Sequence, residues 1–392
     1  MLELREATQT FTFELFGRCA LKPVLSLLRD FSAPVRASVV GQTEEELAFL
    51  MANDADSFVR WDSAQTLATS VILGLVEDVA AGRALVLDDA FVSAARQTLA
   101  ARHDGTDLNL IAYTLSLPTE GMLADTMADG TVDPGHIHSA RDFVISELSR
   151  QLHDELLSTY KDCASGDTPY AYTGEAVGKR RLAGMALRYL CASGGEAAAG
   201  LALSQLEAAD NMTDELTAFD TLLDCDGISE AQRTAVIDTF EQKWQCDALV
   251  MDGWFGSQAS VQQPGALAAV KKLMNHPQWT ITNPNKVRAL VGRFAMANLS
   301  QFHAADGSGY DFLADFVNEL DPINPQAAAR MTTALRTWRR LEPQRRGLAK
   351  SALERIRDRE GVSPDTFEVA SKTLADAIAE VVAEAEAAAE PQ

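Results

Sequence analysis

Four helix starts in this chain are signalled by a capping residue followed directly by proline: Asp133-Pro134, Asn283-Pro284, Asn324-Pro325 and Ser363-Pro364. An aspartate, asparagine or serine side chain accepts a hydrogen bond from the free N–H groups of a first helical turn. Proline suits the next position because it has no N–H to leave unsatisfied and its φ is already helical. A fifth start, Thr43-Glu44-Glu45-Glu46, has the form of a capping box. Between such signals run amphipathic stretches, among them Phe58 to Ala80, Ala140 to Tyr160, Ala231 to Trp244 and Met331 to Leu341. The pattern predicts about sixteen helices of roughly 10–25 residues, joined by short polar loops. No strand alternation recurs after Val40. Many short antiparallel helices with tight connections predict a mostly α fold, an α-superhelix of antiparallel helix pairs of the HEAT or armadillo kind. Asn283-Pro284 and Asn324-Pro325 lie 41 residues apart, near a HEAT period, although the residues after them match poorly.

The two ends read differently. Thr10-Phe11-Thr12-Phe13-Glu14-Leu15 alternates, which places Phe11, Phe13 and Leu15 on one face of a strand, and Val35, Ala37 and Val39 repeat the alternation. Two or three strands cannot form a stable sheet alone, so residues 1–40 are expected to be a β remnant of a larger domain. Residues 41–374 are the expected superhelix. Residues 375–392 form an Ala/Glu-rich tail expected to fray.

Charge excludes some partners. The chain carries 34 basic and 56 acidic residues, a formal charge of −22, which repels nucleic acid and anionic membranes. No apolar stretch approaches membrane-spanning length, and Met1 to Glu6 carries no apolar signal region. The five cysteines (Cys19, Cys163, Cys191, Cys225 and Cys246) are an odd, widely spaced set without Cys-x-x-Cys, as expected of reduced thiols in a cytoplasmic protein.

Several strings in order resemble aminopeptidase N, the zinc-dependent alanyl aminopeptidase family of bacteria. They are Phe31-Ser32-Ala33-Pro34-Val35, Arg60-Trp61-Asp62 and Asn211-Met212-Thr213-Asp214, then Leu249-Val250-Met251-Asp252 with Trp254-Phe255. Asn283-Pro284-Asn285 with Arg288 follows, then Phe302-His303-Ala304 with Asp306-Gly307-Ser308-Gly309-Tyr310, and Asn324-Pro325-Gln326. The resemblance covers roughly residues 2–374 and implies a C-terminal helical domain that closes over a peptide chamber. It also implies that a catalytic domain and a β domain of the same polypeptide are its partners, and that peptides are the substrates. Gln326, Arg330 and Arg288 are, on this resemblance, cavity-facing substrate contacts. Gln326 and Arg330 are four residues apart on one predicted helix, so they share a face. An arginine fork suits a peptide carboxylate or carbonyl. On the residues alone, an ordinary solvated face or pairing to acids serves equally well.

The catalytic motifs of that family are absent from this sequence. The nearest string to His-Glu-x-x-His is His153-Asp154-Glu155-Leu156-Leu157, and there is no Gly-Ala-Met-Glu-Asn. No metal ligand, catalytic residue or cofactor is therefore assigned to this chain, and zinc is expected in the catalytic domain of the parent enzyme. The chain alone is expected to be inactive. A free-standing α-solenoid scaffold for protein partners is the alternative.

Other candidates are weaker. His136 and His138 point about 200° apart on a helix and cannot share a metal, which leaves an exposed helix start. His303 reads as a packed histidine and His153 as part of a polar face. Residues 330–359 hold ten basic and three acidic residues. Salt bridges to neighbouring acidic helices, or a cavity lining, compete there with a phosphate surface. Asp306-Gly307-Ser308-Gly309-Tyr310 follows no strand and has no lysine, so it is a loop rather than a phosphate cradle.

Overall fold

Helix after helix begins on its predicted cap. The computed structural model describes residues 3, 5–12, 23–35, 37–164, 169–193 and 195–375. Thr43 Oγ1 accepts from the Glu46 N–H at 3.2 Å, and Asp133 Oδ1 accepts from the Gly135 N–H at 2.8 Å. The Asn283, Asn324 and Ser363 side chains cap their helices likewise, with proline at the start of each. A further start of this kind, Glu342-Pro343, was not anticipated. Its carboxylate accepts from the N–H groups of Gln344 (2.6 Å) and Arg345 (2.9 Å).

The helices pack as the amphipathic pattern requires. Glu44–Asn53 lies on Ser57–Ala80, His153–Cys163 on Gly174–Ala192, and Glu196–Ala208 on Met212–Asp224. Towards the C-terminus, Ser308–Leu320, Pro325–Thr332, Pro343–Arg357 and Pro364–Leu374 pack on one another. One apolar cluster runs the length of the array, from Leu67 and Ile72 through Leu187 and Phe219 to Phe294 and Leu353. Fully burying each such side chain contributes about 1.5–3 kcal/mol before entropy is charged against it.

Two amphipathic runs break where one helix was expected. Ala140 to Tyr160 divides at Leu152 into Pro134–Gln151 and His153–Cys163. Met331 to Leu341 leaves the α-helix after Thr332 and continues in 3-10 turns, Thr333–Leu335 and Trp338–Arg340. Thr332 Oγ1 donates to the Ala328 carbonyl (3.0 Å) and Thr333 Oγ1 to the Arg330 carbonyl (2.7 Å), and such back-bonding competes with the regular ladder.

At the N-terminus, Val35, Ala37 and Val39 form no strand, since no described neighbour supplies the N–H and C=O groups a strand must pair with. Phe13 and Leu15, like residues 376–392 of the tail, lie outside the described residues. Phe31 instead packs on Phe58 in a tilted arrangement with ring centroids 5.0 Å apart, and the Asp30 N–H donates to Asp56 Oδ2 at 2.8 Å.

The array also returns on itself. Segment 130–132 meets segment 340–342 in a single parallel bridge, Val132 to Leu341. The N–H groups of Gly130 and Val132 both donate to the Arg340 carbonyl at 3.0 Å, and the Glu342 N–H donates to the Val132 carbonyl at 2.9 Å. Arg340 pairs with Asp125 (3.1 Å) and Asp129 (3.2 Å). Arg345, 9% exposed, pairs with Asp133 and Glu342, each at 3.1 Å, and its Nε donates to the His303 carbonyl at 2.6 Å. Removing one partner from a buried ionic cluster strands the others. Arg345→Ala is therefore expected to destabilise the chain by about 3 kcal/mol in urea unfolding, with Arg345→Lys recovering only part. A loss below about 0.5 kcal/mol would place the cluster among ordinary surface pairs.

Candidate functional site

The sequence-predicted contacts fall on two adjoining elements. Asn324 starts the helix Pro325–Thr332, whose Ala328, Ala329 and Met331 face the core. Gln326 and Arg330 are exposed on the other side, and neither side chain makes a hydrogen bond or ion pair among the described residues. Arg288 is also exposed, and its Nη2 donates to Asn285 Oδ1 at 2.7 Å. It opens a π-helical turn, Arg288–Gly292, that interrupts the helical run begun by Asn283-Pro284. Such turns insert an extra residue and re-aim the side chains around them. Gly292 faces Met331: a Cβ placed there would lie 3.5 Å from Met331 Cε, at ordinary van der Waals distance. The turn carrying Arg288 and the helix carrying Arg330 are thus in contact. The structure brings the three predicted residues onto neighbouring elements.

A second feature was not anticipated. A cavity of about 900 Å³ is walled by the helices Pro134–Gln151, Gly174–Ala192, Met212–Asp224 and Ala248–Ala259 and by Arg293. Its polar lining is mixed: Asp142, Asp220 and Asp224 face Arg141, Arg188 and Arg293. Arg293 Nε donates to Ser260 Oγ at 2.9 Å and Arg141 Nε to the Pro118 carbonyl at 2.9 Å. The cavity walls crowd the water around Asp224, which stays exposed at the rim, and push its carboxyl up to about 6, although the Gln262 N–H donates to it at 2.9 Å. Burial raises Asp220 and Asp142 as well. A faint signal was present in the spacing, because Asp220 and Asp224, like His138 and Asp142, are four apart and share a helix face.

The histidines separate clearly. His138 is not at an exposed helix start: it lines the cavity, half-buried, with Nδ1 2.7 Å from Glu120 Oε1 and Nε2 3.4 Å from Asp142. The Glu120 carboxylate raises its pKa. His136 stays at the helix start, 3.8 Å from Asp133. His303 is buried, with Nδ1 2.8 Å from the Tyr310 hydroxyl, and burial lowers its pKa to about 3, so the ring is neutral at pH 7. His153 is exposed, and the neighbouring Glu155 pairs with Arg96 at 2.7 Å. The basic stretch 330–359 is largely consumed by ion pairs, such as Arg355 to Asp311 (3.2 Å) and Arg359 to Asp321 (2.6 Å). Among the described residues, no three His, Cys, Asp or Glu side chains come together as metal ligands.

Comparison with known proteins decides the family. Residues 44–375 match the family model described as Domain of unknown function (DUF3458_C) ARM repeats. The chain belongs to this ARM-repeat family. It is also 36% identical over 375 residues to aminopeptidase N of Haemophilus influenzae and 34% identical over 375 residues to aminopeptidase N of Escherichia coli. These matches cover 95% and 96% of this chain but only 41% and 42% of the relatives. The chain thus spans about two fifths of the length of the curated relatives it matches and corresponds to an aminopeptidase's C-terminal helical portion. A crystal structure of Legionella pneumophila aminopeptidase A in complex with aspartic acid superposes with a TM-score of 0.79 at 27% identity. That match covers 92% of this chain and 41% of the other.

The raised Asp224 pKa has a signed consequence. A carboxyl whose folded pKa lies above its unfolded value binds its proton more tightly when folded. Its contribution to stability is full below the unfolded value of 3.8 and is lost as pH rises through about 6. Asp224→Asn should therefore stabilise the chain at pH 7.5, by about 1 kcal/mol once screening at the cavity mouth is allowed for, and should give nothing at pH 4. Melting curves at both pH values test this. Equal curves at pH 7.5 would mean that the carboxylate is well solvated.

Proposed function

We propose that this chain is the helical domain that encloses the peptide chamber of a zinc aminopeptidase, and that Gln326, Arg330 and Arg288 contact the substrate beyond the reacting bond. In this reading the parent polypeptide removes N-terminal residues from peptides. Its catalytic and β domains, with residues 1–40 belonging to the β domain, complete the chamber, and zinc resides in the catalytic domain. The free Cys163, Cys191, Cys225 and Cys246 fit a reducing, cytoplasmic location. The observation that carries the reading is the near-complete match of this chain to part of two aminopeptidase N sequences. The exposed shared face of Gln326 and Arg330 supports the residue roles.

The chemistry follows from position. The guanidinium of Arg330 offers paired N–H donors, suited to a carboxylate or a peptide carbonyl, and Gln326 one turn earlier can donate or accept beside it. Neither reaches a nucleophile or a metal, so their contribution is to hold substrate in register and restrict its length. The chain alone should release no chromophore from alanyl or leucyl anilides. Zinc-dependent turnover that survives stringent purification would contradict the reading.

In the intact parent enzyme, Arg330→Ala removes a charge-assisted hydrogen bond worth roughly 1.5–3 kcal/mol. KM for a tripeptide should rise about 10-fold or more with a smaller change in kcat, while a single-residue anilide, too short to reach Arg330, is spared. Equal effects on both substrates, or none, would reduce Arg330 to a solvated helix-face residue.

A further inference from the structure

Two thiols share the wall of the polar cavity. Cys191 lies in the last turn of Gly174–Ala192, and Cys225 is the residue that ends Met212–Asp224. Both line the cavity and both are buried, at 4% and 2% exposure. Cys225 Sγ is 4.0 Å from the Cys191 carbonyl, which places the two cysteines side by side. The Gly227 N–H donates to Cys225 Sγ at 3.3 Å, and Cys191 Sγ lies 3.5 Å from the Ala198 carbonyl. Both sulfurs thus face a backbone carbonyl, and Cys225 Sγ in addition receives the Gly227 N–H. The polarity of the pair follows from this arrangement. The adjacent Cys191 thiol, helped by the Gly227 N–H, lowers the Cys225 pKa, and the same proximity together with burial raises that of Cys191. Cys163, elsewhere in the core, is raised by burial.

We propose that Cys191 and Cys225 are a redox-modification site that closes to a reversible disulfide with hydrogen peroxide as oxidant. The Cys225 thiolate attacks a peroxide oxygen, the O–O bond breaks, and hydroxide leaves to take up a proton as water. Cys225 is then a sulfenic acid. Cys191 sulfur attacks Cys225 sulfur, the S–O bond breaks as the S–S bond forms, and the Cys191 proton leaves with the hydroxide as a second water. Two thiols and one peroxide thus become one disulfide and two waters. The site is independent of the peptide contacts proposed above. The bond would tie together the ends of two cavity-wall helices whose cysteines are 34 residues apart in sequence, with the helix Glu196–Ala208 held inside the loop.

The test uses the whole chain. Reduced protein is treated with hydrogen peroxide, quenched, unfolded and alkylated with N-ethylmaleimide, then digested and analysed by mass spectrometry. The expected result is the loss of two of the five alkylatable thiols, a linked peptide pair carrying Cys191 and Cys225, and full recovery with dithiothreitol. In Cys191→Ser, Cys225 should accumulate as a sulfenic acid captured by dimedone. In Cys225→Ser, Cys191 should stay alkylatable. Full alkylation of Cys191 and Cys225 in the wild-type chain, at a peroxide dose that oxidises the exposed Cys246, would overturn the proposal, and so would linkage of either cysteine to any other. The wild-type measurement decides the matter even where a variant fails to fold.

Discussion

The fold depends on a seam. An ordinary solenoid is held by each unit's contact with its neighbours, and its ends are free. Here Arg340 and Arg345 reach back to Asp125, Asp129 and Asp133, and the backbone of 340–342 bonds to that of 130–132. Arg345 is central because it meets three groups at once: the cap residue of Pro134–Gln151, the cap residue of its own helix and the carbonyl of His303. The cap that starts one helix is therefore also the anchor of another that lies more than 200 residues away. A guanidinium suits this role better than an ammonium, since its donors are fixed in a plane and can serve several acceptors.

The cavity is polar for a related reason. The four helices around it turn apolar sides to the continuous core and leave charged side chains on the remaining face. Water can be crowded there but not excluded, so Asp220 and Asp224 have raised pKa values and yet stay among arginines.

Much of this was legible from local chemistry. The cap-and-proline starts at Asp133, Asn283, Asn324 and Ser363 act within one turn, and each begins a helix where the sequence places it. The helix ends were harder. Nothing apolar changes at Leu152 or after Thr332, and the breaks come from neighbours or from hydroxyls that bond backwards. The alternation at Val35, Ala37 and Val39 forms no strand among the described residues, because periodicity reports a face but not whether a pairing partner is at hand. The candidate contacts Gln326 and Arg330 were visible as a shared face. The meeting of Arg288's element with theirs depends on Gly292 packing against Met331, which no spacing along the chain records. The cavity was missed because its residues come from four helices, and only pairs such as Asp220 and Asp224 leave a local trace.

The seam also bears on how the chain comes to be folded. Its two sides are 215 residues apart at Asp125 and Arg340, so during synthesis residues 125–133 leave the ribosome long before residues 340–345 exist. Domains form as units behind the ribosome, and pairings between distant segments close last because loop closure must precede them. The early helices can stack on one another as they emerge. Asp133 can cap its helix at once, since that bond is local, but its arginine partner arrives only much later. Until then the N–H groups of Gly130 and Val132 and the carboxylates of Asp125 and Asp129 face water. Closure of the seam thus waits for the synthesis of residues 340–345, and a chain cut short before Arg340 carries a helical array with its seam open.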